Sequence, residues 1–270
     1  MRTAAVVLIF PFLVLGQTDG NLDVITLNGR ECPLEGDAKS PDVKDLNRLK
    51  GRYHSPVASD VDATVTLAAM IAPGDDETRF DTKSAATVTG FVLEVMVGGK
   101  ETCNCHATEP DQRDTHIALA LSEGAERTQS VIVEVTPRTR LLRQRSGARD
   151  WTTAALKRDL KGKWIEVTGW LLFDFEHIGE AENTNPGNAK NWRATCWEIH
   201  PVTSIRIVEA PPAGTLQVAP DAVRTFQRAQ AAHVSLSPRQ RQFVSERIEK
   251  YRRMFAEDED DAPELEGRGR

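Results

Sequence analysis

The segment 163–208 begins and ends with runs in which apolar and polar residues alternate. Alternation with a period of two is typical of a β-strand that buries one face, so both ends of the segment are predicted to be strands. Segments 85–97, 115–121 and 129–136 are rich in apolar and β-branched residues and are predicted to be strands as well. The central part of the chain is therefore expected to be mainly β.

Helix signals interrupt and flank these strands. A Ser-Pro pair begins a predicted helix over 40–50, and an Asp or Thr cap begins another over 150–160. The order is three strands, a helix and two strands, with Gly90 in the middle of the first strand. This order is similar to that of an OB-fold barrel. We predict a mainly β fold with flanking helices: a five-stranded OB-like barrel with strand order 1-2-3-5-4, an N-terminal helix and C-terminal helices.

The composition divides the chain into five parts. They are a signal peptide at 1–16, an N-terminal extension with a short helix at 21–84, the OB-like barrel domain at 85–208, a linker and C-terminal helices at 209–256, and a disordered acidic tail at 257–270. The first part has one early basic residue and an apolar run too short to span a bilayer, which is typical of a secretory signal. We expect a secreted or periplasmic protein with no transmembrane segment after signal removal. Within the extension, short strands are expected over 24–27 and 64–70.

The formal net charge of −6 is concentrated in the C-terminal tail. Residues 257–266 include seven acidic residues and no basic residue, so 33 acidic residues face 34 basic ones in the remainder. The net charge therefore neither favours nor excludes a polyanionic ligand. The last predicted helix has an apolar stripe with Ile248 and Tyr251 and a basic opposite face, which suits binding to a protein partner.

Four cysteines, Cys32, Cys103, Cys105 and Cys196, are an even number in a chain expected to be exported. That setting favours disulfides. Cys103 and Cys105 are too close in sequence to pair comfortably, so each would need Cys32 or Cys196. A structural zinc site that includes Cys103 and Cys105 is the alternative.

Side chains on a strand point alternately to its two faces, so residue parity separates the barrel core from its exterior. Parity places Glu166 and six other ionisable residues of the last four strands outside the barrel. The six are Asp114, His116, Glu134, Asp174, Glu198 and His200. With strand order 1-2-3-5-4 they form one patch, and His177 follows closely after Asp174.

Imidazoles beside carboxylates can bind a divalent metal or act as acid and base. The metal hypothesis assigns His116, Glu134, Glu198 and His200 as ligands, with Asp174 or His177 as the catalytic base. The alternative is an ordinary polar barrel exterior.

An anion site on the same face is a separate hypothesis. It uses Asp114, an outward Trp170 that could stack on a base or sugar, and two arginines of a predicted basic linker over 137–149, Arg138 and Arg140.

Three motifs carry a resemblance to a known family. They are D-x-H at Asp114 and His116, LFDFEH with Asp174 and His177, and WEIHPV with Glu198 and His200. Over 85–208 the chain resembles a family of exported bacterial OB-fold-like proteins of unassigned function, which implies the same barrel. At the level of fold it is also similar to staphylococcal-nuclease-type barrels, which are metal-dependent nucleases.

Three functions remain open at this point. The first is an exported domain that binds a polar, anionic ligand, such as a nucleic acid or glycan, through the outer face of strands 2, 3 and 5. The second is a metal-dependent hydrolase or phosphodiesterase that uses the His and Glu cluster on that face. The third is an envelope protein that binds a partner through its C-terminal basic helix.

Overall fold

A computed structural model describes residues 20–74 and 76–212, together with residues 242, 245, 246, 248–251 and 253. The expected signal peptide at 1–16, residues 213–241 of the expected linker and C-terminal helices, and the acidic tail at 257–270 lie outside the described residues.

The N-terminal extension contains a β-hairpin and two helices. Strands β1 (Val24–Leu27) and β2 (Arg30–Pro33) form the hairpin, and helices α1 (Pro41–Lys50) and α2 (Leu67–Ile71) follow. The predictions of a strand over 24–27 and of a helix over 40–50 are confirmed. The strand predicted over 64–70 is wrong. The Thr66 side chain accepts a hydrogen bond from the Ala69 backbone N–H and so begins α2 instead.

The barrel follows as five strands with two helices between the third and fourth. In chain order the elements are β3 (Ala85–Val97), β4 (Thr115–Ala120), β5 (Val131–Val135), α3 (Pro137–Arg145), α4 (Thr153–Leu160), β6 (Trp164–Phe173) and β7 (Trp197–Ile207). The barrel is closed in the order β3-β4-β5-β7-β6, which confirms the predicted 1-2-3-5-4 order. Strands β5 and β7 are parallel and the other pairs are antiparallel. The architecture is that expected for an OB-like fold.

Residue parity sorts the strands as predicted. Ile117, Val133, Leu171, Trp197 and Ile199 all belong to one buried core inside the barrel. Their neighbours along each strand therefore face outward, toward the N-terminal extension and the loops.

The predicted linker over 137–149 is wrong, because most of it is helix α3. Thr136 caps the helix by accepting a hydrogen bond from the Thr139 backbone N–H, and Pro137 occupies the first turn, where its missing N–H costs nothing. Arg138 is 1% exposed and Arg140 is 8% exposed. The two guanidinium groups therefore belong to the interior of the protein.

The described part of the C-terminal helix packs against the protein itself. The Tyr251 ring lies 5.3 Å from the Phe175 ring, and its hydroxyl donates to Glu77 Oε1 at 2.8 Å. Ile248 packs against the same small apolar cluster, which contains Ile178. Among the described residues, no helix is long and apolar enough to cross a bilayer.

Candidate metal centre

The predicted polar patch lies outside the barrel, but it is not exposed to solvent. His116 is 8% exposed, Glu134 is 2% exposed, and Glu198 and His200 are fully buried. Side chains from other segments cover them: Trp192 stacks on His116, and Lys50 of α1 pairs with Asp174. The expectation of an exterior patch is therefore corrected, because the N-terminal extension and the loops form a second layer that parity alone does not reveal.

Strand pairing brings the patch together. His116 and Glu134 are directly opposite each other in the β4–β5 pair, so their side chains share one face. His116 Nε2 lies 3.2 Å from Glu134 Oε1, and His200 Nδ1 lies 3.3 Å from Glu134 Oε2. Asp114 immediately precedes β4. Ligand atoms of Asp114, Glu134 and His200 all lie within 4.8 Å of one another.

Each of these three residues keeps a buried polar atom without a hydrogen-bond partner in the described structure. The atoms are Asp114 Oδ1, Glu134 Oε2 and His200 Nε2, and His116 Nε2 shares the property because its contact with Glu134 lacks hydrogen-bond alignment. Most buried polar atoms in proteins have a partner, so four unpaired atoms in one place require an explanation.

Glu198 holds His200 in position. Its Oε2 lies 3.1 Å from His200 Nδ1, and its Oε1 accepts a hydrogen bond from Arg193, which is fully buried. If Nδ1 carries the hydrogen toward Glu198, the lone pair of His200 lies on Nε2. A carboxylate behind a histidine is the usual support of a metal-binding imidazole. Glu198, predicted to be a ligand, contacts His200, and Asp114, predicted to bind an anion, lies close to Glu134.

A second group, which residue patterns did not reveal, is centred on Lys50. Its ammonium lies 2.8 Å from Glu101 Oε2 and 3.1 Å from Asp174 Oδ2, and it also contacts Glu176. Burial raises the pKa of Glu101, but the ion pair with Lys50 outweighs that effect and lowers it to about 2. Burial, with repulsion from Asp174 and Glu101, raises the pKa of Glu176 to about 8.

His177, the other predicted base, lies beside Asp174 and Glu180. Its Nδ1 is 3.2 Å from Glu180 Oε2, and its Nε2 is 3.8 Å from Asp174 Oδ2. Burial alone would lower the pKa of His177, but these two carboxylates raise it to about 9. Ligand atoms of Asp174, His177 and Glu198 also lie within 4.8 Å of one another. The structure thus brings both predicted bases to the edge of the patch.

The ionisation of the central residues is strongly perturbed. Burial raises the pKa of Asp114, and burial together with the charges of Glu198 and Asp114 raises that of Glu134 well above its usual range. Burial lowers the pKa of His116 to about 4, which keeps its imidazole neutral at pH 7. The site therefore holds the neutral imidazole of His116 beside carboxyl groups whose ionisation burial disfavours.

The cysteines divide into one disulfide and two thiols. Cys32 pairs with Cys105, which ties β2 to the loop between β3 and β4. Cys103 and Cys196 are buried free thiols. The prediction of disulfides is therefore confirmed for Cys32 and Cys105 and wrong for Cys103 and Cys196. Cys103 Sγ lies 3.6 Å from Asp114 Oδ2 and 3.5 Å from Glu101 Oε2.

The residues expected to complete an anion site have other contacts. Arg138 donates to the backbone carbonyls of Leu22 and Pro33, and Arg140 donates to that of Trp151. The Trp170 indole N–H donates to the His54 carbonyl at 2.8 Å, and Arg52 covers its ring. The two arginines attach the hairpin and the loops to α3. None of the three side chains forms a hydrogen bond or ion pair with the patch among the described residues, but the charge of Asp114 partly offsets the lowering of the pKa of Arg138 and Arg140 by burial.

The patch can chemically bind a cation. Its carboxylates and imidazoles offer oxygen and nitrogen lone pairs. Around them, Arg193 pairs with Glu198, Lys50 pairs with Asp174, and Trp192 stacks on His116. Arg193 lies five residues before Glu198 in a segment that the sequence predicts to be a polar loop. Nothing in the sequence indicates that this arginine is buried. No protein-family model matches this chain, and a comparison with curated proteins found no similar sequence.

Proposed function

We propose that this protein binds a divalent metal ion on the outer face of its barrel, with Asp114, Glu134 and His200 as ligands and His116 beside them. The observation that carries the proposal is that all four residues are buried and each keeps a lone-pair atom without a hydrogen-bond partner. A buried polar atom left unpaired costs about 1–3 kcal/mol. A metal ion would satisfy several such atoms at once.

The charges around the patch favour a cation over an anion. Seven carboxylates take part in its ion pairs and hydrogen bonds, and in the described part of the chain Lys50 and Arg193 are the lysine and arginine that form ion pairs with them. The seven are Glu101, Asp114, Glu134, Asp174, Glu176, Glu180 and Glu198. An anionic ligand, the first function expected from the sequence, stays a prediction that this charge distribution does not support.

The ligand set suits a first-row transition metal. Imidazole nitrogens favour Zn²⁺, Fe²⁺ and similar ions, whereas carboxylates accept most divalent metals. Glu198 would fix the tautomer of His200 and raise the basicity of its free nitrogen. Arg193 would keep Glu198 ionised, because burial raises the pKa of Glu198 but the ion pair with Arg193 outweighs it.

Metal-dependent hydrolysis is the second candidate function, with a phosphodiester as the substrate class. It is favoured by the number of ligands: three protein ligands leave a coordination position for water, as in catalytic zinc sites. A bound divalent metal supplies a water molecule of lowered pKa. Asp174 would be the proton acceptor nearby, since one of its oxygens lies within 4.8 Å of an oxygen of Glu198, which in turn contacts His200.

Export of the protein and binding of a protein partner are two further proposals, separate from the metal site. The Cys32–Cys105 disulfide supports export, because disulfides persist in oxidising compartments. The apolar stripe of the C-terminal helix contacts the barrel domain, so a protein partner would bind its basic side.

Metal content of the purified protein tests the main proposal. We expect about one equivalent of a transition metal at this site by inductively coupled plasma mass spectrometry, and its loss in Glu134→Gln and His200→Ala. Glu166→Gln is the matched control, because Glu166 lies on the outer face of β6 and pairs with exposed Arg206. Metal content that is unchanged in both site variants would contradict the assignment.

Hydrolysis of a chromogenic phosphodiester by the metal-loaded protein tests the second candidate function. We expect this activity to be lost in the same two variants.

A further inference from the structure

A second group of metal-ligand side chains shares Asp114 with the proposed site. Ligand atoms of Glu101, Cys103 and Asp114 lie within 4.8 Å of one another, and so do those of Asp114, Glu134 and His200. Asp114 therefore stands between the two groups. Its two oxygens differ in environment: Oδ2 accepts from Asn104 at 2.7 Å and lies near Cys103, whereas Oδ1 is buried without a partner.

We propose that the centre is dinuclear, with Asp114 as a carboxylate that bridges two divalent ions and Cys103 as a thiolate ligand of the second ion. This inference rests on the metal site proposed above. Glu134 and His200 hold the first ion, and Glu101 and Cys103 hold the second.

The spacing around Cys103 matches metal coordination. Its sulfur lies 3.5 Å from Glu101 Oε2 and 3.6 Å from Asp114 Oδ2. Tetrahedral bonds of about 2.3 Å to sulfur and 2.0–2.2 Å to oxygen place such ligand atoms roughly 3.5–3.7 Å apart. Without a metal ion, a thiol between two carboxylates gains little stabilisation from them, because S–H is a weak hydrogen-bond donor.

The charge of the region also favours cations. Seven carboxylates lie in it, and Lys50 and Arg193 form ion pairs with four of them, Glu101, Asp174, Glu176 and Glu198. Carboxylate-bridged ions in two-metal sites stand about 3.5–4 Å apart, a distance that one aspartate spans. Lys50 contacts Glu101 at 2.8 Å and would compete for it, but Asp174 and Glu176 remain as partners of its ammonium.

Binding of the second ion exchanges a proton for a metal. The S–H bond of Cys103 breaks, a sulfur–metal bond forms, and the proton passes to solvent. A thiolate favours Zn²⁺ or Co²⁺ over Mg²⁺ and Ca²⁺, which prefer oxygen. No oxidation or reduction takes part.

Titration of the chelator-treated, disulfide-intact full chain with Co²⁺ tests this inference. We expect two Co²⁺ per chain by equilibrium dialysis and a near-ultraviolet absorption band from thiolate-to-cobalt charge transfer. Cys103→Ser should remove the band and one ion. Cys196→Ser is the matched control, since Cys196 is the other buried thiol, and should keep both.

The two proposals fail in different ways. One ion that disappears in His200→Ala, without a thiolate band in the wild type, would overturn the dinuclear centre and leave the first site standing. A thiolate band with one ion that persists in His200→Ala would contradict the first site instead. A band that survives in Cys103→Ser would overturn the role of Cys103. If Cys103→Ser fails to fold, as judged by circular dichroism, Glu101→Gln provides the second variant and should also lose the band and one ion.

Discussion

Replacing Lys50 with Met should destabilise the protein strongly, because this ammonium compensates three carboxylates in the interior. The Lys50 side chain is 2% exposed, and it contacts Glu101 at 2.8 Å, Asp174 at 3.1 Å and Glu176 more closely still. Opposite unit charges 3 Å apart attract by about 5 kcal/mol at an effective dielectric constant of about 20. Desolvation offsets part of each attraction, and breaking one buried pair typically costs about 3–5 kcal/mol.

We therefore expect Lys50→Met to lose about 3–5 kcal/mol of unfolding free energy at pH 7. Methionine keeps most of the aliphatic stem, so the loss reports on the charge. Urea unfolding in the presence of a chelator, followed by tryptophan fluorescence, measures it without a contribution from bound metal.

Arg48→Met on the same helix is the control. Arg48 pairs with Asp45 at 2.6 Å, but its side chain is 50% exposed. An exposed pair contributes less than about 1 kcal/mol. A loss below 1 kcal/mol in Lys50→Met, at an unchanged denaturant slope, would refute the view that Lys50 holds α1 against the buried carboxylates Glu101, Asp174 and Glu176.

Three further predictions concern the layer around the barrel. Burial would lower the pKa of His177, but two carboxylates raise it to about 9, so His177 stabilises the fold fully below pH 6.5 and less as the pH rises to 9. His177→Gln should remove about 3 kcal/mol of this pH-dependent change in unfolding free energy. The same pH dependence of unfolding free energy in wild type and variant would contradict the prediction. Gly36→Ala should cost about 2–3 kcal/mol in thermal unfolding, since φ is +63° and a Cβ would lie 1.9 Å from the Thr102 carbonyl oxygen; a wild-type melting temperature would disprove the contact. Replacing Cys32 and Cys105 together with Ser should cost about 4 kcal/mol, because the disulfide joins positions 73 residues apart, and equal stability of oxidised wild type and variant would contradict this.

The barrel could be predicted because its strands carry local signals. Alternation placed Ile117, Val133 and Leu171 inside, and the helix before the fourth strand identified the topology. Local signals failed where a tertiary contact decided the structure. The run after Thr66 is apolar enough for a strand, but the Thr66 cap and packing against β3 select a helix.

The position of the polar patch could be predicted from the sequence, but the full set of residues around it could not. Parity placed His116, Glu134 and His200 on one face, yet it could not show that a second layer covers that face. Lys50 and Arg193 gave no signal, because charged residues of helices and loops are usually solvated and only long-range packing buries these two. The same reason explains why the arginines of α3 were expected to bind an anion. Arg138 donates to backbone carbonyls of the extension and Arg140 donates to the carbonyl of Trp151, and no pattern in α3 reveals these contacts.

Anomalous diffraction at the zinc absorption edge, from crystals grown with Zn²⁺, tests the central claim most directly. We expect a peak that lies about 2.0–2.2 Å from oxygen or nitrogen atoms of Asp114, Glu134 and His200. We also expect the peak to disappear in crystals of His200→Ala, while the barrel is unchanged. An anomalous map of fully folded wild-type protein with no peak between these three side chains would contradict it.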